Sequence, residues 1–300
     1  MGKRQGKKAW IGKQVRAMLQ GREMALADFA LDALLSGGEW LDEAAEKAVA
    51  ADAAAAMPWD DEPPPEARYK IEDGVAVVEV GGMISHGLSA FERWWLGAVE
   101  VSEVAETVEA AARDERTRAI VLSFNSPGGM VCGVPEAAAR IADVAARVPI
   151  LSQTDSLLCS AAYWLASSAA AIYATGSATV GSIGAYTVHF DLSRAYENAG
   201  IGLKVFRSGK QKAAGVDGAA LTEEQAAVIA DRISEIGAEF RGFVERYRGE
   251  LPDAAKDGRA VDGAAGIGLG LVDSAGTLGD AVADARTLAD FEDWNNGRKG

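Results

Sequence analysis

The apolar positions of the chain change rhythm after its first fifth. Up to about residue 56 they recur at helical spacing, in Ala-, Glu- and Leu-rich segments such as FALDALL and WLDEAAEKAVAADAAAA. Apolar residues three and four apart share one face of a helix, so this part reads as a helical extension. Beyond residue 67, short β-branched runs alternate with Ala/Glu-rich stretches. GVAVVEV (74–80) predicts a strand, VSEVAETVEAAARDE (101–115) a helix and AIVLSF (119–124) a buried strand. PEAAARIADVAARV predicts the next helix and PILSQT the next strand. Residues 157 to about 170 predict a further helix, and AIYAT (171–175) and SIGA (182–185) short strands. Residues 222–248 predict a long helix with one apolar face made of Val228, Ile229, Ile233, Ile236, Phe240, Phe243, Val244 and Tyr247. Alternation of this kind calls for an α/β fold with a mainly parallel sheet covered by helices.

Between the two regions lies MPWDDEPPPEARY, where acidic residues and four prolines interrupt both patterns. Proline fixes φ and removes a donor, so the stretch reads as a linker. The expected organisation is a helical extension over 1–56, an acidic Pro-rich linker over 57–66, a main domain over 67–288 and a polar tail over 289–300.

Residues 157–176 carry no charge and have the length of a membrane span. Much of the stretch is Ala, and Ser160, Ser167, Ser168 and Thr175 dilute it, so a buried helix followed by a strand is the better reading. The basic residues at the start (Lys3, Arg4, Lys7, Lys8, Lys13, Arg16 and Arg22) are interspersed with apolar ones rather than followed by an uninterrupted apolar run. A secretory leader is not expected from that pattern, and a cytoplasmic location is. The arm itself suits a solvated tail or an acidic partner.

Charge narrows the partners further. A net charge of −14 repels phosphate backbones and argues against nucleic acid as the main partner. Two cysteines, Cys132 and Cys159, and two histidines, His86 and His189, are too few for a convincing metal centre. Neither a metal nor another cofactor is expected.

Two local arrangements could carry chemistry. NSPGG (125–129) follows the buried strand AIVLSF and precedes a helix, so the amides of Gly128 and Gly129 could meet a developing oxyanion at the carboxyl end of a strand. An ordinary strand-to-helix turn would look the same. Ser160 lies where PILSQTDSLLCS leads into AAYWLASSA, and either a nucleophile or a simple helix cap would fit there.

Taken together, the blocks resemble the serine peptidases of the signal peptide peptidase A type, most closely their phage capsid-maturation (prohead) relatives. The similarity covers roughly residues 67–288. It rests on NSPGG, CSAAYWLASSA, VGSIGA and SGKQKAAG in that order, with GRAVDGAAGIGLGLVD as the closing block. The resemblance implies a crotonase/Clp-like spiral of ββα units, in which neighbouring subunits often complete the site. It implies Ser160 as nucleophile, Lys212 as general base, Ser182 as the residue that orients the lysine, and Gly128 and Gly129 as oxyanion donors. An amine in an apolar site holds its proton less tightly, which is what such a base needs. Lys210 is the nearest rival, but the family spacing Ser-Gly-x-x-Lys falls on Lys212. Ala161 and Ala162 stand where two glycines commonly follow the nucleophile.

The implied partners are protein substrates (capsid, scaffold or portal proteins, or the chain itself) and further copies in a homo-oligomer. Alternatives are a soluble signal peptide peptidase-like or general degradative peptidase, a Ser/His pair using His189, a crotonase-like acyl-CoA enzyme, and an inactive virion structural protein. Cys159, beside Ser160, is expected to pack rather than react.

Overall fold

The computed structural model describes residues 24–26 and 68–295. The linker, and the rest of the helical extension, lie outside the described residues. In chain order the elements are β1 (Met24–Leu26), β2 (Tyr69–Glu72), β3 (Val75–Gly81), β4 (Met83–Ser85), α1 (Ala90–Leu96), β5 (Ala98–Glu100), α2 (Val101–Arg113), β6 (Ala119–Ser126), β7 (Gly128–Met130) and α3 (Val134–Ala145). They continue with β8 (Ile150–Cys159), α4 (Ala161–Ala166), β9 (Ala171–Ala174), β10 (Thr179–Gly181), α5 (Ser193–Asn198), α6 (Glu223–Arg248), α7 (Asp253–Lys256), β11 (Ala260–Asp262), α8 (Gly263–Gly268), β12 (Ser274–Ala275) and α9 (Leu278–Asn295).

The strands form two sheets. The larger runs β11-β10-β8-β6-β3-β2, with β9 on β8 and β12 on β9, and β3, β6, β8 and β10 are mutually parallel. The smaller runs β1-β7-β4-β5. Chain order explains the arrangement. β3 leaves the large sheet through Gly82 into β4, and β6 leaves it through Pro127 into β7, each pair then leading into helix. This is the expected spiral of ββα units.

The apolar runs of the central strands are continuous because both sheet faces are covered. In β6, Ile120, Leu122 and Phe124 join the main core with α2 and α3, whereas Ala119 and Val121 join Ala281, Ala285 and Ala289 of α9 on the other face. β3 divides in the same way, with Ala76, Val78 and Val80 inward and Val75 towards α9. α2 and α3 bury Val104, Val108 and Ala111, and Ala137, Ile141 and Val144, each set at helical spacing.

Four expectations need correction. Met24–Leu26, within the supposed helical extension, is a strand. The helix expected over 157–170 is only Ala161–Ala166, because Leu157, Leu158 and Cys159 extend β8 and pair in parallel with Thr179, Val180 and Gly181. SIGA is not a strand; β10 ends at Gly181, one residue before it. The last helix extends through Phe291 to Asn295, into the supposed polar tail. The long helix α6 starts as expected, since Thr222 caps it in a reciprocal box with Gln225.

α6 is fastened to the core through Phe240, whose ring stacks on Trp164 of α4 with centroids 4.4 Å apart and planes 4° from parallel. Both side chains are fully buried. Phe240→Ala should cost about 3–5 kcal/mol, read as a lowered denaturation midpoint. A loss under about 1 kcal/mol would mean that α6 is not held by this stack.

Candidate active site

Ser160 occupies the single residue between β8 and α4. Its backbone is strained, with φ 55° and ψ −119°, a region that side-chain-bearing residues rarely adopt. The surroundings hold it there: the Ser160 amide donates to the Gly181 carbonyl at 2.8 Å, and its carbonyl accepts from the Trp164 amide at 3.0 Å. The hydroxyl, by contrast, caps nothing. Ser160 makes no side-chain bond to the helix, is 1% exposed, and its Oγ has no hydrogen-bond partner. Buried hydroxyls are normally bonded, so this one is exceptional, and it is not a helix cap.

Strand register sets what stands beside it. Ser126 at the end of β6 pairs with Leu158 of β8, and Gly128 and Ser160 each lie two residues further on. On the other side Cys159 pairs with Gly181, so Ser160 and Ser182 are the next residues of neighbouring parallel strands. Ser182 shares the unusual backbone, with φ 54°, and its amide donates to the Arg259 carbonyl at 2.8 Å. Ser160 and Ser182 thus follow the carboxyl ends of β8 and β10, where parallel sheets present their crevices, while Gly128 opens β7, which packs against α4 directly after Ser160.

The two glycines are required by geometry. Gly128 has φ 96°, and its amide donates to Ser126 Oγ at 3.2 Å, so a substrate oxygen would take over that donor. A Cβ on Gly129 would lie 1.9 Å from the Ile84 carbonyl oxygen. Ser126, buried next to Pro127, was not singled out from the sequence, although it sits inside the NSPGG block.

Lys212 is placed differently. It lies exposed in the turns following Gly209, its amide donating to the Gly209 carbonyl at 3.0 Å. Since Ser160 Oγ has no partner, the two are not hydrogen-bonded within one chain. The apolar enclosure expected for a lysine base is therefore missing in a single copy. Lys210 is committed elsewhere: its Nζ pairs with Glu224 at 3.2 Å and its carbonyl accepts from Gln225 Nε2 at 2.9 Å. His189 lines a cavity of about 870 Å³ with Tyr186, Gly215 and Val228, and Ser160 is not among its walls. Ser182 borders another cavity, of about 670 Å³, with Arg241, Lys256 and Arg259.

Cys159 is no rival nucleophile, because burial pushes its thiol up to about 12 and leaves it protonated at neutral pH. Cys132 is exposed and lies outside this set. Among the described residues no cluster could hold a metal ion, and no helix is long and apolar enough to cross a membrane.

Tyr163 is the supporting residue that motif reading missed. Fully buried in α4, three residues after the serine, it donates to the Leu271 carbonyl at 2.8 Å and so anchors the helix that follows Ser160 to the closing GLGLVD block. Asp273 in the same block accepts from the Ile172 amide at 2.7 Å, fixing β9.

Residues 142–292 match the family model for Peptidase family S49, from within α3 to within α9, including Ser160, Ser182 and Lys212. The chain belongs to peptidase family S49. Similar S49 relatives come from phages. One is the capsid assembly protease C of Escherichia phage lambda, 29% identical over 238 residues, covering 78% of this chain and 54% of that one. Another is the head-tail preconnector protein GP5 of Enterobacteria phage P21, 29% identical over 220 residues, covering 72% of this chain and 43% of that one. This S49 chain therefore spans about half the length of the curated relatives it matches. Among solved structures, a ClpP1 mutant from Listeria monocytogenes shares 12% identity, with a TM-score of 0.42, covering 69% of this chain and 94% of that one.

Proposed function

We propose that this S49 chain is a serine endopeptidase that processes capsid, scaffold or portal proteins during phage head maturation, in the host cytoplasm or inside the prohead. The observation that carries the proposal is the buried, partnerless Ser160 hydroxyl on a strained strand-to-helix junction. In the proposed reaction Ser160 Oγ adds to the scissile carbonyl while Lys212 takes the hydroxyl proton. The Gly128 and Gly129 amides hold the oxyanion, and the leaving amine takes the proton from Lys212. Water then opens the acyl-enzyme. Lys212 forms no ion pair among the described residues and stands in solvent. That suits a base that reaches the serine when copies of the chain assemble, with Ser182 orienting it.

The test is co-expression with candidate coat, scaffold and portal proteins, read by intact mass. Lys212→Ala should slow processing by about 10²–10⁴-fold, the usual contribution of a general base, whereas His189→Ala should stay within about twofold. Loss on His189→Ala with Lys212→Ala still active would replace the proposed pair with a Ser/His one. Absence of any processed product would remove the peptidase assignment.

A further inference from the structure

β1 lies antiparallel along β7, with Met24 opposite Met130, Ala25 opposite Gly129 and Leu26 opposite Gly128. The far side of β7 is taken by β4, through Ile84 and Gly129, so β1 covers what would otherwise be the open edge of the smaller sheet. An open edge offers its main-chain groups to any extended peptide. This edge carries both Gly128 and Gly129 and belongs to a strand that packs against α4, the helix that begins directly after Ser160. A peptide added to it for cleavage would need the row of groups that β1 now holds.

The direction of β1 adds the second part. The segment passes from Met24 beside Met130 to Leu26 beside Gly128, so its Leu26 end is the one at the first glycine of the NSPGG block. Around that end the sequence is free of charge from Met24 to Ala27, between Glu23 and Asp28, and small residues flank Leu26 on both sides. Residues 27–67 tether the segment to the domain, which keeps its local concentration high.

We infer that β1 is the protein's own first substrate, seated for cleavage of the Leu26–Ala27 bond by Ser160. The inference rests on the peptidase reading above. Ser160 Oγ bonds to the Leu26 carbonyl carbon as the general base takes its proton, and the bond to the Ala27 nitrogen breaks. The Ala27 amine leaves with that proton. A water molecule then adds to the acyl carbon, releasing the Leu26 carboxylic acid and restoring the serine. The cut removes seven basic residues and one acidic residue together, leaving the remaining chain six charges more negative. It also clears the β7 edge for other peptides.

The full-length chain and its Ser160→Ala form should be purified and followed by intact mass, amino-terminal sequencing and anion-exchange elution, with co-expressed scaffold protein scored in parallel. The expected product begins at Ala27, elutes later from the anion exchanger and is absent in Ser160→Ala. Leu26→Asp should slow its formation at least tenfold. Scaffold processing with an intact Leu26–Ala27 bond would overturn the inference and leave the peptidase standing. Failure of both would overturn the two together. Cleavage of the arm at another bond would refute the register, and a product from Ser160→Ala would assign the cut to a different protease.

Discussion

Ser160→Ala should abolish processing, by at least about 10⁴-fold as for other covalent nucleophiles, while leaving the fold as stable as before or more so. The two effects have separate physical origins. Under the proposed reaction, catalysis loses the atom that carries the acyl group. Stability loses nothing, because Oγ has no partner in the folded chain and is shut away from water. Removing an unsatisfied buried hydroxyl recovers a desolvation penalty of about 1–3 kcal/mol. Alanine still carries a Cβ and so retains the backbone strain at φ 55°. Ser160→Gly should relieve that too, adding about 1 kcal/mol or more. Thermal denaturation of the three forms beside the processing assay decides the matter. A serine whose removal weakened the fold by more than about 1 kcal/mol, or left processing intact, would be a structural residue.

Gly129→Ala should give the largest loss from a single added methyl group. All three atoms nearest the new Cβ belong to the Ile84 backbone, at 1.9, 2.6 and 2.7 Å, so no flexible side chain can swing aside. β7 would have to move away from β4, and with it the Gly128 and Gly129 amides proposed to hold the oxyanion. A cost of about 2–4 kcal/mol is expected, as for other overpacked or strained sites. Any chain that still folds should lose about 10²-fold or more in processing, since displaced donors no longer meet the oxyanion. Gly81→Ala is the matched control, because a Cβ there meets nothing within 4 Å. Equal behaviour of the two variants in denaturant melts would show that the close approach of β7 and β4 is absent.

How much of this was legible in the sequence depended on what each feature is made of. The parallel α/β sheet could be read because short apolar runs such as AIVLSF alternate with helical stretches, whereas the ββα spiral and the candidates Ser160, Gly128 and Gly129 came from the family resemblance of the ordered blocks. The end of β8 could not. LLCSAAYWLA has no charged residue and only Ser160 to interrupt it, too little to show whether its period is 2 or 3.6, and Leu157–Cys159 becomes strand only because Thr179–Gly181 lies alongside. Ser182 looked like strand for a similar reason, its Ile-Gly-Ala neighbours giving no sign of φ 54°. β1 was hidden more deeply. Three residues in an Ala/Leu-rich stretch favour helix locally, and only pairing with β7, more than a hundred residues away, makes them extended. The solvent position of Lys212 was equally unreadable, since a motif specifies residue types and not what encloses them.

The Tyr163 hydroxyl reaches a carbonyl 108 residues further along the chain. During synthesis Ser160 therefore leaves the ribosome well before the segment that anchors its helix, and β9 waits for Asp273 in the same way. Domains emerge amino-terminal end first. The strand-to-helix junction at Ser160 consequently takes its anchored form only after the segment through Leu271 has been made, so its rigidity is set by a stretch of chain far behind the serine.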